Sequence, residues 1–317
     1  MAIPLSFSFL SLLVVLAVLL SPLLLLAAAG RKARGNTAAG ARQLPTGPAK
    51  LPIIGNIHLL FTGNPLHQTL RELSKKHGPL MHLQLGCTPT VVVSSAELAE
   101  EVLKTHDLKC CSRPLLVAFA KLSYGYSDIA TTPYSDRWRK LRKFSTVELF
   151  SHKMIGSSRS IREQEIERVM EVIRARSIVD LRELLMSFSC NATCRSAFGR
   201  GYDEAGSGKL HELVEEAQAV ISTVFVADYF PAMGWVDVLS GARRRLHRVH
   251  LKLDRAYQGI IDEHLDRSGG QNGEREDIVD ALLRLKETEE ITDDQIKGVF
   301  MVRLCIDRYI YIMTWFD

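Results

Sequence analysis

Residues 134–143 read Tyr-Ser-Asp-Arg-Trp-Arg-Lys-Leu-Arg-Lys, five cations and a lone Trp in ten positions. On a helix Trp138 and Arg142, four apart, bring an indole N–H and a guanidinium fork to one face, one turn above the other. Two donors placed this way suit a planar anionic ligand. Arg offers a rigid bidentate fork to a carboxylate or a phosphate, and Trp offers a donor on a body that packs against an apolar plate. The same run also reads as a solvated basic helix with one buried Trp.

Other reactive residue types give weaker patterns. The six cysteines, at 87, 110, 111, 190, 194 and 305, contain no Cys-x-x-Cys. Cys190 and Cys194 are a helical turn apart but lack a nearby histidine to complete a tetrahedral zinc site, so they read as reduced, structural thiols. Glu165 with Arg168 and Glu171 with Arg174 are acid–base pairs of a charge-dense helix, where such spacing arises by chance. With 46% hydrophobic and 24% charged residues in 317, the chain can bury one large core, and a net charge of +4 gives no reason to expect a nucleic-acid partner.

The elements that must position Trp138 and Arg142 follow from periodicity. Asn64-Pro65 starts a helix, as an Asn cap with proline at the first helical position, and Gly78-Pro79 stops it. Residues 80–85 alternate, 86–89 turn, and 90–93 return as a β-branched run, which predicts a hairpin. Ser94 with Glu97 predicts a capping box for a helix ending near His106. Residues 109–135 read as a long loop over a cavity. Apolar stripes at Leu213, Val214, Ala217, Ile221 and Val224, and at Leu246, Val249, Leu253, Ile260 and Ile261, predict long amphipathic helices. A Gly-rich link at 268–273, a short helix from Asp277 and a Thr292/Gln295 cap follow. The fold class is therefore mostly α, with a small β-hairpin near the amino terminus.

No charge occurs before Arg31, and residues 5–29 are a nearly unbroken Leu, Val and Ala run. At roughly 1.5 Å per residue these make roughly 37 Å of helix, enough to cross the roughly 30 Å of bilayer hydrocarbon with some tilt. Arg31, Lys32, Arg34, Arg42 and Lys50 follow without an acid, which predicts a single-pass anchor with a lumenal amino terminus and a cytosolic body, its basic stretch attracted to membrane lipid. Residues 30–56 read as a basic, proline-rich hinge.

Together with Ser112-Arg113-Pro114, Pro45-Thr46-Gly47-Pro48 and Leu51-Pro52-Ile53-Ile54-Gly55-Asn56, the Trp138 run resembles a plant microsomal cytochrome P-450. The resemblance implies an incomplete cytochrome P-450 fold over 57–299 and a haem-thiolate monooxygenase acting on a small lipophilic plant metabolite. It further implies haem as cofactor, a membrane-bound NADPH-dependent cytochrome reductase as partner, and the endoplasmic reticulum as location. By the same resemblance Trp138 and Arg142 hold the haem propionates, while Leu115, Phe119, Tyr126 and Phe225 line or edge the substrate pocket.

The resemblance ends near Val299, and residues 300–317 read as a divergent tail. The oxygen-handling Thr motif, the later E-x-x-R pair and the iron-ligating Cys loop of the family do not follow. Cys305 has Arg303 two places before it, but Met301 and Asp307 stand where that loop requires glycine, so no axial thiolate is assigned. These features predict an inactive chain. A second reading stays open, a non-catalytic membrane-anchored fragment or interaction protein that binds a partner through exposed helices.

Overall fold

The computed structural model describes residues 44–61, 63–149, 151–199, 208–268, 277–288 and 291–302. The predicted anchor at 5–29, the first part of the hinge, most of the Gly-rich link, Cys305 and most of the tail lie outside the described residues. Among the described residues no single helix is long and apolar enough to cross a membrane. The described residues divide into two compact units, one of those up to 107 with 229–231 and one of those from 108 onward without 229–231.

The first unit is built on helix α1 (Leu66–His77) and a two-stranded antiparallel sheet, β1 (Leu80–Leu85) and β2 (Thr88–Val93), followed by the short helix α2 (Ala96–Glu100). The register pairs Leu80 with Val93 and Leu85 with Thr88, so the turn is only Gly86-Cys87, shorter than the 86–89 expected. Gly86 makes this possible at φ +60. Two helix starts also shift by one residue. Pro65 is itself the N-cap of α1, with extended backbone, so Asn64 makes no cap. Ser95 rather than Ser94 caps α2, accepting from the Leu98 N–H at 3.3 Å, because Ser94 still donates its N–H to Pro79 at the end of the hairpin.

Prolines keep 44–56 out of a helix, as expected, but the segment is tied down rather than left as a free spacer. His82 donates its N–H to the Thr46 carbonyl at 2.9 Å, and Thr46 Oγ1 donates to the His77 carbonyl at 2.6 Å. Asn56, fully buried, exchanges hydrogen bonds with Gln84 of β1 and donates Nδ2 to the Ala49 carbonyl at 3.0 Å. A Cβ on Gly55, which sits at φ +63, would meet the Gln84 carbonyl oxygen at 2.1 Å, so this approach requires glycine.

The second unit is helical throughout: α3 (Val117–Leu122), α4 (Asp136–Phe144), α5 (Arg159–Ala175), α6 (Leu181–Phe198), α7 (Gly208–Ile221), α8 (Ala242–Ser268), α9 (Ile278–Glu287) and α10 (293–302). Its core follows the predicted stripes. Leu246, Val249, Leu253, Ile260 and Ile261 of α8 are buried against one cluster with Val214 and Ala217 of α7. Val224, expected on the α7 stripe, lies past the helix end and is 57% exposed. Phe300 of α10 packs edge-on to Phe198 and Tyr257, with ring centroids 5.2 and 5.7 Å apart, so the first residue of the expected tail belongs to the core. The Thr292/Gln295 capping box forms as predicted, with Thr292 N–H donating to Gln295 Oε1 at 2.8 Å.

Helices α8 and α9 are joined by a polar clamp. Buried His264 lies 2.7 Å from the Ile260 carbonyl through Nδ1 and 2.9 Å from Asp277 through Nε2, while Asp277 caps α9 together with Asp280. Burial alone would depress the imidazole, but the hydrogen bond and charge of Asp277 outweigh it and hold its pKa above the ordinary value. A raised folded pKa makes the stabilisation complete below the ordinary imidazole value of about 6.5 and lost as pH climbs through the raised one. Hydrogen exchange of the α9 amides is therefore expected to speed up between mildly acidic and mildly basic pH more steeply in the native chain than in H264Q.

Candidate functional site

Helix α4 carries the basic run that holds Trp138 and Arg142. Ser135 is its N-cap, in extended conformation, and its hydroxyl accepts the Trp138 N–H at 3.2 Å. Asp136 in the first turn suits the positive helix end and pairs with Arg139. Leu141 is the one buried residue of α4, so this edge faces the core and the cations stay outside.

The expected stack is present. The Arg142 guanidinium lies over the Trp138 ring, 5.3 Å from its centroid, and Tyr134 packs at 5.6 Å on the same indole. Trp138 is half-buried and Arg142 exposed. The indole N–H is not free, because it donates to the Ile129 carbonyl at 3.0 Å. Arg142 makes no ion pair with any described residue. The pair therefore presents one open guanidinium fork on an aromatic base, and the second donor becomes available only if Ile129 gives it up.

Ile129 is set by the loop before α4. Tyr124, Gly125 and Tyr126 all have left-handed backbones, with φ of 53, 72 and 59, which bends the chain sharply after α3. Buried Asp128 then accepts the N–H groups of Ala130 and Thr131 at 2.6 and 2.7 Å and the Thr131 hydroxyl. Arg137 of α4 donates to Ser127 at 2.6 Å, and a Cβ on Gly298 of α10 would lie 3.0 Å from the Ser127 carbonyl oxygen. Helix α4, the 123–132 loop and α10 thus converge at Ser127.

A second group, missed from sequence, anchors the same loop. Lys297 of α10 and the Tyr124 hydroxyl both donate to Asp254 Oδ1 of α8, at 2.7 and 3.1 Å. Tyr124 also packs on His250, centroids 5.0 Å apart. Burial first, and then the Asp254 charge, push the Tyr124 phenol far above its ordinary pKa, so its hydroxyl remains a donor. The separations of 43 and 130 residues leave no local signal to find.

The four pocket candidates are only partly drawn together. Leu115 is 64% exposed ahead of α3. Phe119 packs against the core cluster that contains buried Phe225. Tyr126 donates its hydroxyl to the Leu116 carbonyl at 3.1 Å, and Asp228 accepts the Val117 N–H at 2.8 Å, so both loops meet the start of α3. The Glu165–Arg168 spacing, read as chance, is structural: Glu165 is 2% exposed and pairs with Arg168 and Arg195.

Residues 45–304 match the cytochrome P-450 family, so the match runs five residues past Val299, where the resemblance is expected to end. The chain is 43% identical over 282 residues to cytochrome P-450 71A9 of Glycine max, covering 86% of this chain and 56% of that protein. It is 41% identical over 286 residues to strychnine-11-hydroxylase of Strychnos nux-vomica, covering 87% and 56%. A zebrafish cytochrome P-450 solved with abiraterone has the same fold, with a TM-score of 0.58 at 24% identity over 77% of this chain and 54% of that one. The chain spans about half the length of the curated relatives it matches. Those matches, which run over the helix that carries Trp138 and Arg142, place the chain in the cytochrome P-450 family.

Proposed function

We propose that this chain carries the propionate-binding half of a haem-thiolate monooxygenase acting on a small lipophilic plant metabolite. The observation that carries the reading is the Trp138–Arg142 stack on α4, with its fork facing outward and unpaired among the described residues. Such a fork matches a carboxylate bidentately. Arg142 would hold one propionate, and Trp138 would support it as an apolar plate and, on exchanging Ile129 for the ligand, as a second donor. When bound, haem supplies the oxygen activation that no side chain here provides. The names of the relatives, a strychnine hydroxylase and the 6,7,8-trihydroxycoumarin synthase of Pastinaca sativa, support a plant secondary metabolite as substrate. Phe119 within α3, and Tyr126 and Phe225 on the loops that meet its start, are the stronger wall candidates, and Leu115 would join them only with further cover.

Residues 5–29 form the endoplasmic reticulum anchor in membrane lipid, 30–56 the hinge, 57–299 the amino-terminal portion of the monooxygenase domain and 300–317 the divergent tail. A membrane-bound NADPH-cytochrome reductase supplies electrons. Cys305 does not ligate iron, since Met301 and Asp307 replace the needed glycines, so the 317-residue chain by itself is inactive. The exposed large apolar residues, among them Trp235 at 58% and Leu239 at 77%, are the observation behind the alternative of a non-catalytic, membrane-anchored interaction protein.

The test is haem loading of the full chain in neutral detergent. The chain is expected to retain haem without the red-shifted band of a thiolate–carbon monoxide adduct. Arg142→Ala should lower haem affinity about tenfold, the scale of one charge-assisted contact. Equal haem retention by the native and R142A chains would sink the propionate role, and a thiolate band would sink the inactivity.

A further inference from the structure

Helix α8 opens on Ala242-Arg243-Arg244-Arg245 and carries Arg248 and Lys252 further along. Arg244, Arg248 and Lys252 are four apart, hence on one stripe of the helix, about 12 Å from first to last. With Arg245, Val249 and Glu216 of α7 they line a groove of about 380 Å³.

Charge in this groove is unbalanced. Both oxygens of Glu216 already accept from Lys252, at 2.7 and 2.8 Å, which also fixes the lysine against α7. Arg244, Arg245 and Arg248 make no ion pair with any described residue. An ordinary solvated charged face looks different on this same chain. On α5 Arg159 is matched by Glu163, and on α4 Arg139 by Asp136, each within one turn. Like charges stacked a turn apart repel, and an anion from outside relieves that repulsion along α8.

We propose that this groove binds a ligand bearing a phosphate or diphosphate group. Guanidinium forks match phosphate oxygens bidentately, and Arg244, Arg245 and Arg248 are all exposed to an incoming ligand. Arg244 and Arg248 lie one turn apart, about 6 Å along the axis, so the oxygens of a diphosphate engage both forks together. Val249 and the arginine stems give an apolar floor for whatever the phosphate is attached to. The group can belong to a soluble phosphorylated molecule or to the headgroup of an anionic lipid. The site is separate from Trp138 and Arg142 and does not rest on the haem reading.

The test uses the full chain in neutral detergent micelles, with inorganic pyrophosphate as the soluble probe and micelles doped with phosphatidic acid as the lipid one. Sodium chloride at equal ionic strength and phosphatidylcholine are the controls. Calorimetric titration should give a saturable pyrophosphate isotherm, with affinity lowered at least tenfold in R244Q/R248Q and changed less than twofold in R174Q/R176Q. The same variant dependence with phosphatidic acid alone would assign the phosphate to a lipid and keep the site. R248K, which keeps the charge and loses the fork, serves if the double variant fails to fold, and should weaken binding severalfold. Responses that chloride reproduces, or that both arginine pairs affect equally, mean general charge screening and overturn the proposal.

Discussion

Replacing Glu165 with alanine is expected to destabilise the α5–α6 pair by about 3 kcal/mol, the largest effect of any single polar substitution here. Glu165 is 2% exposed, and its Oε1 accepts from Arg195 at 2.5 Å and from Arg168 at 3.0 Å. Arg168 is 56% exposed, so water screens its share heavily. Arg195 is 19% exposed and would be left with only its 2.5 Å contact to Gln164, a neutral acceptor. The cost thus comes chiefly from stranding a shielded guanidinium, not from losing an attraction. A double-mutant cycle separates these causes. On an Arg195→Met background E165A should cost less than half as much, measured by urea unfolding of the detergent-solubilised chain. Equal costs on both backgrounds would show that Glu165 acts through packing.

What was legible in the sequence was whatever repeats within a helical turn. The Trp138–Arg142 stack follows from a spacing of four, the α8 stripe from five apolar residues, and the α10 start from Thr292 and Gln295. Caps slipped by one residue where a neighbouring serine had a prior engagement, as Ser94 does with Pro79. Long-range partners were out of reach. Gly125 was the only sign that residues 124–126 would turn left-handed, and nothing local says that Ile129 takes the indole N–H. Glu165 shows how a surface-like spacing hides a buried role, since its decisive partner is 30 residues away. Periodicity reports which face is apolar; it cannot report which acid is carried inward by a neighbouring helix.

Asp254→Ala is expected to cost about 2–3 kcal/mol and to loosen the 123–132 loop, whereas Lys297→Met should cost about 1 kcal/mol or less. The asymmetry follows from burial. Lys297 is 11% exposed at its side chain and Asp254 36%, so removing the acid strands a charge that water barely reaches, while removing the lysine leaves a carboxylate that water and Tyr124 still serve. Burial would raise the Asp254 pKa, but the hydrogen bond and charge of Lys297 outweigh it and hold the carboxyl below its ordinary value. The contribution is therefore complete above the ordinary carboxylate range and lost as pH falls through the depressed value, so neutral pH reads the whole effect. Because Tyr124 opens the left-handed turn and Ile129 closes on Trp138, loss of Asp254 should reach the indole. In a W235F/W315F background, D254A should shift Trp138 emission to longer wavelength and increase its quenching by acrylamide, and K297M should change neither appreciably. If both variants leave the emission unchanged, the loop holds the indole without help from α8 and α10, and the path from Asp254 to the proposed haem contact is broken.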